Sequence, residues 1–394
     1  MPTLLVPREI APGETRVAAS PETVKRYIKQ GFRVLLEAGA GDASFFSDDE
    51  YRDVGAEVSD DLKGLYEQAD VVVKVQPPVE HEALGCHEVE LLKEGCVLVS
   101  FLWPLTDHAL VKRLQEAKVT AFAMDLVPRI TRAQVMDALS SQSNIAGYKS
   151  VLLGANALPK LFPMMMTAAG TIKPARVVIM GAGVAGLQAI ATAKRLGAVV
   201  EVSDIRLAVK EQVESLGATF IMVDSDEDLE GEGGYAKEAS PEFLKKQQEV
   251  VERHIASADV VVTTALIPGR PAPMLIPETL VQKMKKGAVI VDIATERGGN
   301  CELSVKDEEI VAHGVRIIGH SNLPALQPND ASAVYARNIE AVMKHLYPKP
   351  KEDEEFGLKL DWEDEITAGS VFLDAGELKH ERVRQALEAQ GGEA

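Results

Sequence analysis

Three glycines in the order Gly181-x-Gly183-x-x-Gly186 follow the apolar, mostly β-branched run Val177-Val178-Ile179-Met180 and precede the helical pattern Leu187 to Leu196. A strand, a tight turn and a helix N-terminus in this order can cradle a pyrophosphate, because free backbone N–H groups and the positive end of the helix face the anion. Gly181 permits the sharp turn, Gly183 removes the Cβ that would stand against the phosphates, and Gly186 lets the helix lie close on its strand. Val184 and Ala185 sit between them and belong to the same cradle. Glycine clusters also occur in ordinary loops, so the context has to carry the reading. After Gly197 a second strand, Ala198 to Ser203, ends in Asp204. That is about twenty residues on, the spacing of an acid that accepts hydrogen bonds from a ribose 2′-hydroxyl and repels a 2′-phosphate. The expected ligand is NAD(H), with NADP(H) disfavoured. Ile205 and Arg206 lie beside Asp204, and the positive charge of Arg206 weakens that exclusion slightly.

The elements that must position these residues read as two domains, the default for a chain of 394 residues. Hydrophobic residues make up 46% of the chain, enough for packed interiors, and the net charge of −18 argues against a nucleic-acid partner. Cys86, Cys96 and Cys301 have neither metal-ligand spacing nor an even count, which suggests inert thiols in a reducing compartment. The histidines are scattered without ligand spacing, so no metal is expected. No secretion signal is evident at the N-terminus and no apolar stretch reaches membrane-spanning length. The expectation is a soluble chain whose membrane connection, if any, comes through a partner.

Up to about residue 125 strands and helices alternate. Leu4 to Val6 is a short strand; Ser20-Pro21 opens a helix that Gly31 stops; Phe32 to Glu37 is the next strand, and Ser47 with Asp48, Asp49 and Glu50 starts another helix. Strands at Ala69 to Val75, Cys96 to Leu102 and Val119 to Met124, with a Thr106-capped helix, continue the pattern. Such alternation predicts a doubly wound, mostly parallel sheet, here without a glycine fingerprint. The polar stretch Pro128 to Asn144 then lies between the domains, a common place for a ligand cleft, and a helical pattern runs from Asn144 to Leu158. Beyond Asp204 the alternation resumes, breaks in an acidic, glycine-rich stretch at 224–239 that carries Tyr235, and returns with the helix Ser240 to Ala256. Long irregular insertions of this kind are lids or disordered segments. Strands at Ala258 to Ala265, Ala288 to Ile293 and Val315 to Gly319 complete the second half. The helix of Tyr335, Ile339, Val342 and Leu346 returns the chain to the first domain, with the acidic tail beyond Pro348 assigned there too. The predicted class is α/β: two doubly wound, mostly parallel-sheet, Rossmann-like domains with an interdomain cleft, the first formed by residues 1–138 and 326–394, the second by 139–325.

The motifs together resemble the NAD(H)-binding subunit of proton-translocating nicotinamide nucleotide transhydrogenases, in the form where that portion of the alpha subunit is a separate chain. The resemblance rests on Arg8-Glu9 with Gly13-Glu14-Thr15-Arg16-Val17, on Pro128-Arg129 through Asn144, on Met164-Met165-Met166-Thr167-Ala168-Ala169-Gly170, on the glycine cradle, on Gly233-Gly234-Tyr235-Ala236-Lys237-Glu238 and on Thr264-Ala265-Leu266-Ile267-Pro268-Gly269. It implies that Arg129, Gln134, Asp137 and Ser140 reach the nicotinamide, that Tyr235 is the tyrosine of a mobile loop, and that Ala265 and Leu266 join the cofactor contacts. It also implies a homodimer docked on a separate NADP(H)-binding domain and carried by a membrane component that conducts protons, with this chain cytoplasmic and peripheral to the inner membrane. The activity implied is hydride transfer of the Si-Re type. Such transfer needs no general acid or base, so the protein's role is to hold donor and acceptor carbons within about 3 to 3.5 Å. Arg129 and Asp137 are equally consistent with a structural ion pair fixing their loop.

Alanine dehydrogenase, a relative with the same two-domain plan, is the rival. Arg16 and Lys74 match the positions where that enzyme grips its substrate, or else are inherited scaffold, interdomain ion-pair members or, for Lys74, a strand-end cation in water. The segment that would carry the rival's catalytic histidine reads Ser100-Phe101-Leu102-Trp103-Pro104-Leu105, and Glu296 stands where the rival has a shorter acid. A nucleotide-sensing module without catalysis is the third class, which fold alone does not exclude.

Overall fold

The computed structural model describes residues 1–222, 241–266, 271–350 and 354–391. It divides into two compact units, Met1–Gln142 with Ala325–Ala394, and Ser143–Pro324. The Tyr235 loop lies outside the described residues.

The first unit is built on an eight-stranded sheet in the order Glu377–Leu378, Val371–Asp374, Thr120–Ala123, Val97–Ser100, Val71–Val73, Thr3–Val6, Arg33–Glu37, Glu57–Ser59. All neighbours are parallel except the two C-terminal strands. Successive side chains on a strand point to opposite faces, and here both faces are covered. Leu4, Val6, Val34, Leu36, Val71 and Val73 enter one core; Leu5, Leu35, Val72, Leu98 and Ala121 enter the other. Two-sided burial explains why these strands read as continuous apolar runs, and each fully buried Val or Leu contributes roughly 1.5–3 kcal/mol.

Local signals set the helix ends. Ser20 caps Pro21–Gln30 in a reciprocal pair with Thr23, and Ser47 does the same with Glu50 for Asp48–Asp53. The next helix is capped not by Thr106, as the sequence pattern suggests, but by Asp107, whose carboxylate accepts from the Leu110 N–H at 3.0 Å; a carboxylate is a better match to that helix end than a hydroxyl. The acidic tail is more ordered than its composition suggests. Val371 and Leu373 pair with Phe122 and Ala121, and Phe356 stacks edge-on against Phe32.

The second unit carries a seven-stranded sheet in the order Thr219–Phe220, Val199–Ser203, Arg176–Met180, Val260–Thr263, Val289–Asp292, Val315–Ile318, Glu309–Ala312. Only the last, an edge strand the sequence pattern does not show, is antiparallel. Val177, Ile179, Val260 and Val262 face one core, Val178, Met180, Val261 and Ile290 the other. The strand order reverses between Arg176–Met180 and Val260–Thr263. In open parallel sheets that reversal splits the loops at the carboxyl ends and leaves a crevice there. Along the chain between the long helix Ala138–Ala157 and the strand Arg176–Met180 comes a hairpin, Met165–Thr167 with Gly170–Ile172, every residue of which is exposed.

Candidate functional site

The crevice at the sheet's reversal is where the glycine cradle lies. The chain leaves the strand Arg176–Met180, turns through Gly181-Ala182-Gly183 and enters the helix Val184–Arg195. Gly181 has φ 104°, a left-handed conformation that disfavours other residues, and a Cβ there would meet Thr264 Oγ1 at 2.6 Å. A Cβ on Gly186 would come within 1.9 Å of the Gly181 carbonyl oxygen. Gly183 differs from both: a Cβ there would meet nothing within 4 Å. Its glycine therefore answers no packing demand inside the protein, and the open space beside it, at a helix N-terminus whose first N–H groups have no side-chain cap, suits a pyrophosphate. Ala185 is also closely approached, since a Cβ on Gly147 would lie 2.1 Å from its carbonyl oxygen. Val184 is partly exposed at the mouth of the turn.

Asp204 ends the neighbouring strand and is nearly buried. One carboxylate oxygen accepts from the Ala182 N–H at 2.7 Å, which ties the acid to the cradle; the same oxygen accepts from the Arg206 guanidinium at 2.9 Å. The other accepts from the Arg206 backbone N–H at 2.8 Å and its Nε at 3.0 Å. Burial pushes the Asp204 carboxyl up, but the Arg206 guanidinium and the two backbone donors outweigh it and hold the group below the usual carboxylate range. Ile205, next to it, is 90% exposed.

Across the reversal point the strand Val260–Thr263 delivers Thr264, Ala265 and Leu266. The Thr264 hydroxyl donates to the Met180 and Gly181 carbonyls at 3.2 and 3.1 Å, and Leu266 is half exposed. Thr264, Asp292 and Asn300 shape this wall and escape a reading of the sequence. The only signal available is a polar residue after the pair Gly298-Gly299.

In the first unit the polar loop is ordered by its neighbours. Asn338 donates to the Val135 carbonyl at 2.9 Å, and Arg132 forms an ion pair with Asp364. The helix expected from Asn144 begins at Ala138, because Asp137 opens it: its carboxylate accepts from the Ser140 N–H at 2.8 Å and from the Ser140 hydroxyl at 2.6 Å. The alternative ion pair between Arg129 and Asp137 is not formed. Arg129 is exposed and makes no side-chain hydrogen bond or ion pair among the described residues, and Gln134 is likewise exposed.

Arg16 and Lys74 are not surface or interdomain cations. Both are buried within the first unit, in a cluster with Glu9, Glu14, Gln76, Glu88 and Gln142. Glu14 grips Arg16 Nε at 2.8 Å and NH2 at 2.6 Å, and Gln142 accepts from NH1 at 2.9 Å. Lys74 pairs with Glu88 at 2.7 Å and Glu9 at 3.6 Å. No histidine belongs to this cluster, and Ser100 spends its hydroxyl on the Gln76 and Phe101 carbonyls. Glu296 is exposed. Among the described residues there is no cluster able to hold a metal, and no helix is long and apolar enough to cross a membrane. Cys96 and Cys301 are buried, and burial pushes both thiols up.

Family models match nearly the whole chain: alanine dehydrogenase/PNT, N-terminal domain, over residues 5–146, and alanine dehydrogenase/PNT, C-terminal domain, over residues 150–381. The latter runs beyond the second compact unit into the segment that returns to the first. The chain is 50% identical over 390 residues to the first of the separately encoded portions of the NAD(P) transhydrogenase alpha subunit of Rhodospirillum rubrum, covering 98% of this chain and 99% of that one. The solved transhydrogenase from Sinorhizobium meliloti superimposes with a TM-score of 0.85 at 41% identity, covering 95% of this chain and 99% of that one. An L-alanine dehydrogenase structure gives a TM-score of 0.78 at 26% identity, with 98% and 99% covered. With both domain models matched in order and a half-identical relative of the same length, this chain belongs to the alanine dehydrogenase/PNT family.

Proposed function

We propose that the chain is the NAD(H)-binding component of a proton-translocating transhydrogenase. In this reading, hydride passes directly between NADH held here and NADP+ held on a partner domain, and the transfer is coupled to proton movement through a separate membrane subunit. The observation that carries the cofactor half is the open space at Gly183, set between two glycines that the fold itself requires and beside a nearly buried aspartate. The transhydrogenase half is supported by the half-identical relative, itself named as one portion of one subunit.

Gly181, Gly183, Val184, Ala185 and Gly186 would hold the pyrophosphate, Asp204 with Ile205 and Arg206 the adenosine ribose, and Ala265 with Leu266 the other half. When bound, the nicotinamide supplies the hydride from its C4 atom. Arg129, Gln134, Asp137 and Ser140 are assigned to the nicotinamide end, where amide, guanidinium and hydroxyl donors fix the carboxamide and ribose. The free donors of Arg129 and Gln134 suit direct contact, whereas Asp137, already engaged with Ser140, acts by holding the loop's shape. Tyr235 is assigned to a loop that closes over the cofactor. A homodimer belongs to the reading, and the exposed methionine-rich hairpin, with Met164 at 61% and Met166 at 80% exposure, is its candidate contact. The complete assembly would place the chain on the cytoplasmic face of the inner membrane through its partners.

Amino-acid oxidation has less support. That chemistry needs an acid/base group at the substrate carbon, and the Arg16 and Lys74 cluster offers glutamates already bound to its cations, with no histidine. The test is to incubate the chain with NADH, an oxidised acetylpyridine analogue of NAD and a separately made NADP(H)-binding partner. Rapid analogue reduction supports the proposal. Pyruvate and ammonia turnover by the isolated chain supports the dehydrogenase instead, and neither activity supports a sensor.

A further inference from the structure

The loop Thr264–Leu266 is the second wall of the crevice, and a side chain 35 residues away fixes its path. Asn300 is fully buried. Its Oδ1 accepts from the Ala265 N–H at 3.0 Å, while its Nδ2 donates to the Ala265 carbonyl at 2.9 Å and to the Pro273 carbonyl at 2.8 Å. One amide thus satisfies both peptide groups of Ala265, as a neighbouring strand would, at a point where the strand Val260–Thr263 has ended. Backbone polar groups at such a point would otherwise turn to water and leave the loop loose.

Asn300 is itself held. Gly298 and Gly299 have φ 97° and 82°, and a Cβ on Gly299 would stand 2.8 Å from Asp292 Oδ2. Their turn brings the N–H groups of Asn300 and Cys301 onto that oxygen at 2.8 and 2.9 Å. The other Asp292 oxygen accepts from the Thr263 hydroxyl at 2.9 Å and the Ala294 N–H at 3.0 Å. The Asn300 carbonyl accepts from Leu275 and Ile276. A fully buried carboxylate at the end of Val289–Asp292, two glycines and one amide therefore form a brace from that strand to its neighbour's loop.

The half of the sheet that contains Val260–Thr263 lies across the reversal from Asp204, and in sheets of this topology it serves the second nucleotide of the dinucleotide. We propose that Asn300 is a positioning residue for hydride transfer: it fixes the Thr264–Leu266 backbone against the nicotinamide half of NAD(H) without touching the reacting ring. This rests on the cofactor reading above. Aspartate could not replace it, since a carboxylate has no hydrogen for the two carbonyls and would add a second buried charge beside Asp292. Serine could keep one bond of the three.

The experiment uses the full chain with Asn300→Ala and Asn300→Ser, the second as a milder change should the first fold poorly. Binding is measured with NADH and with ADP, which carries the adenosine half alone. Transfer to the acetylpyridine analogue is then measured at saturating NADH with the NADP(H)-binding partner. ADP affinity should stay within about twofold and NADH affinity within about tenfold, while transfer falls roughly 10- to 100-fold in Asn300→Ala, the scale of a small misplacement of reacting atoms, with Asn300→Ser between. Loss of ADP affinity in step with transfer would reduce Asn300 to a folding role and overturn the proposal. So would transfer at the wild-type rate in both variants. If the wild-type chain itself binds ADP and NADH not at all, the cofactor reading fails and takes this inference with it.

Discussion

Arg206 lies across Asp204 and closes both oxygens of the acid expected to hold a ribose: with the Ala182 N–H, four hydrogen bonds of 2.7 to 3.0 Å fill its acceptor sites. A 2′-hydroxyl must then displace the guanidinium, and the half-exposed Arg206 side chain is free to swing outward. Arg206→Ala should therefore tighten NADH by a few-fold, the scale of a surface ion pair no longer broken on binding, and weaken NADPH further. Asp204→Ala should do the reverse and also strand the Ala182 N–H, loosening the cradle. Titrating both variants with NADH and NADPH reads this directly. Weaker NADH binding in Arg206→Ala would mean that the guanidinium itself holds the ribose or phosphate.

The cradle glycines separate folding from binding. Gly186→Ala drives a methyl group against the Gly181 carbonyl oxygen at 1.9 Å, so it should lower the melting temperature sharply or prevent folding. Gly183 has φ −76° and empty space where a Cβ would sit, so Gly183→Ala should melt close to the wild type. It should nonetheless lose NADH affinity by tenfold or more, on the order of 1.4 kcal/mol, because the methyl group takes the phosphates' place. Calorimetric melting beside NADH titration checks both. A Gly183→Ala protein with unaltered NADH binding would place the pyrophosphate elsewhere.

What can be read from the residues is local or periodic. The capping pairs of Ser20 and Ser47 lie three residues apart, the cradle spans six, and the apolar strands follow from burial on both faces. What escapes is nonlocal. Asn300 acts on Ala265 across 35 residues and Asp292 gathers four donors from three segments, so neither carries a sequence signal beyond a polar residue near glycines. The strand Val371–Asp374 finds its partner about 250 positions earlier at Thr120–Ala123, behind an acidic stretch that reads as loop. The long helix begins early because Asp137 binds Ser140, which outweighs the weak helix preference of the serines that follow.

Gln134 and Asp137 stand three residues apart in the same loop but should fail differently. The Gln134 side chain is exposed, so Gln134→Asn should slow hydride transfer while melting temperature and NADH affinity hold within a few-fold. Asp137 opens a twenty-residue helix, so Asp137→Ala should cost about 1 kcal/mol of stability as well as rate. Equal thermal loss in the two variants would deny Asp137 its capping role, and equal loss of affinity and rate in Gln134→Asn would deny Gln134 its positioning role.

The buried cluster of the first unit makes a pH prediction whose sign differs between two of its acids. Burial raises the Glu9 carboxyl from 4.5 to about 7, against the attraction of Lys74 and with the repulsion of Glu14 and Glu88. Tyr66, Tyr335 and Arg16 also face the cluster. The folded chain holds a proton that the unfolded chain has released, so the stability linked to Glu9 is complete below about pH 4.5 and is lost as pH rises through about 7. Glu14 runs the other way. Burial pushes it up, but the two bonds from Arg16 carry it down to about 2, so its contribution is present above about pH 4.5 and lost only in strong acid. Glu9→Gln removes the first group without removing its shape, and the neutral amide can still accept from the Val75 N–H. The wild-type melting temperature should drop between about pH 5 and pH 8, and that drop should shrink in Glu9→Gln, leaving the variant the more stable protein at the alkaline end. If the two proteins lose stability in parallel over this range, the proton belongs to another group.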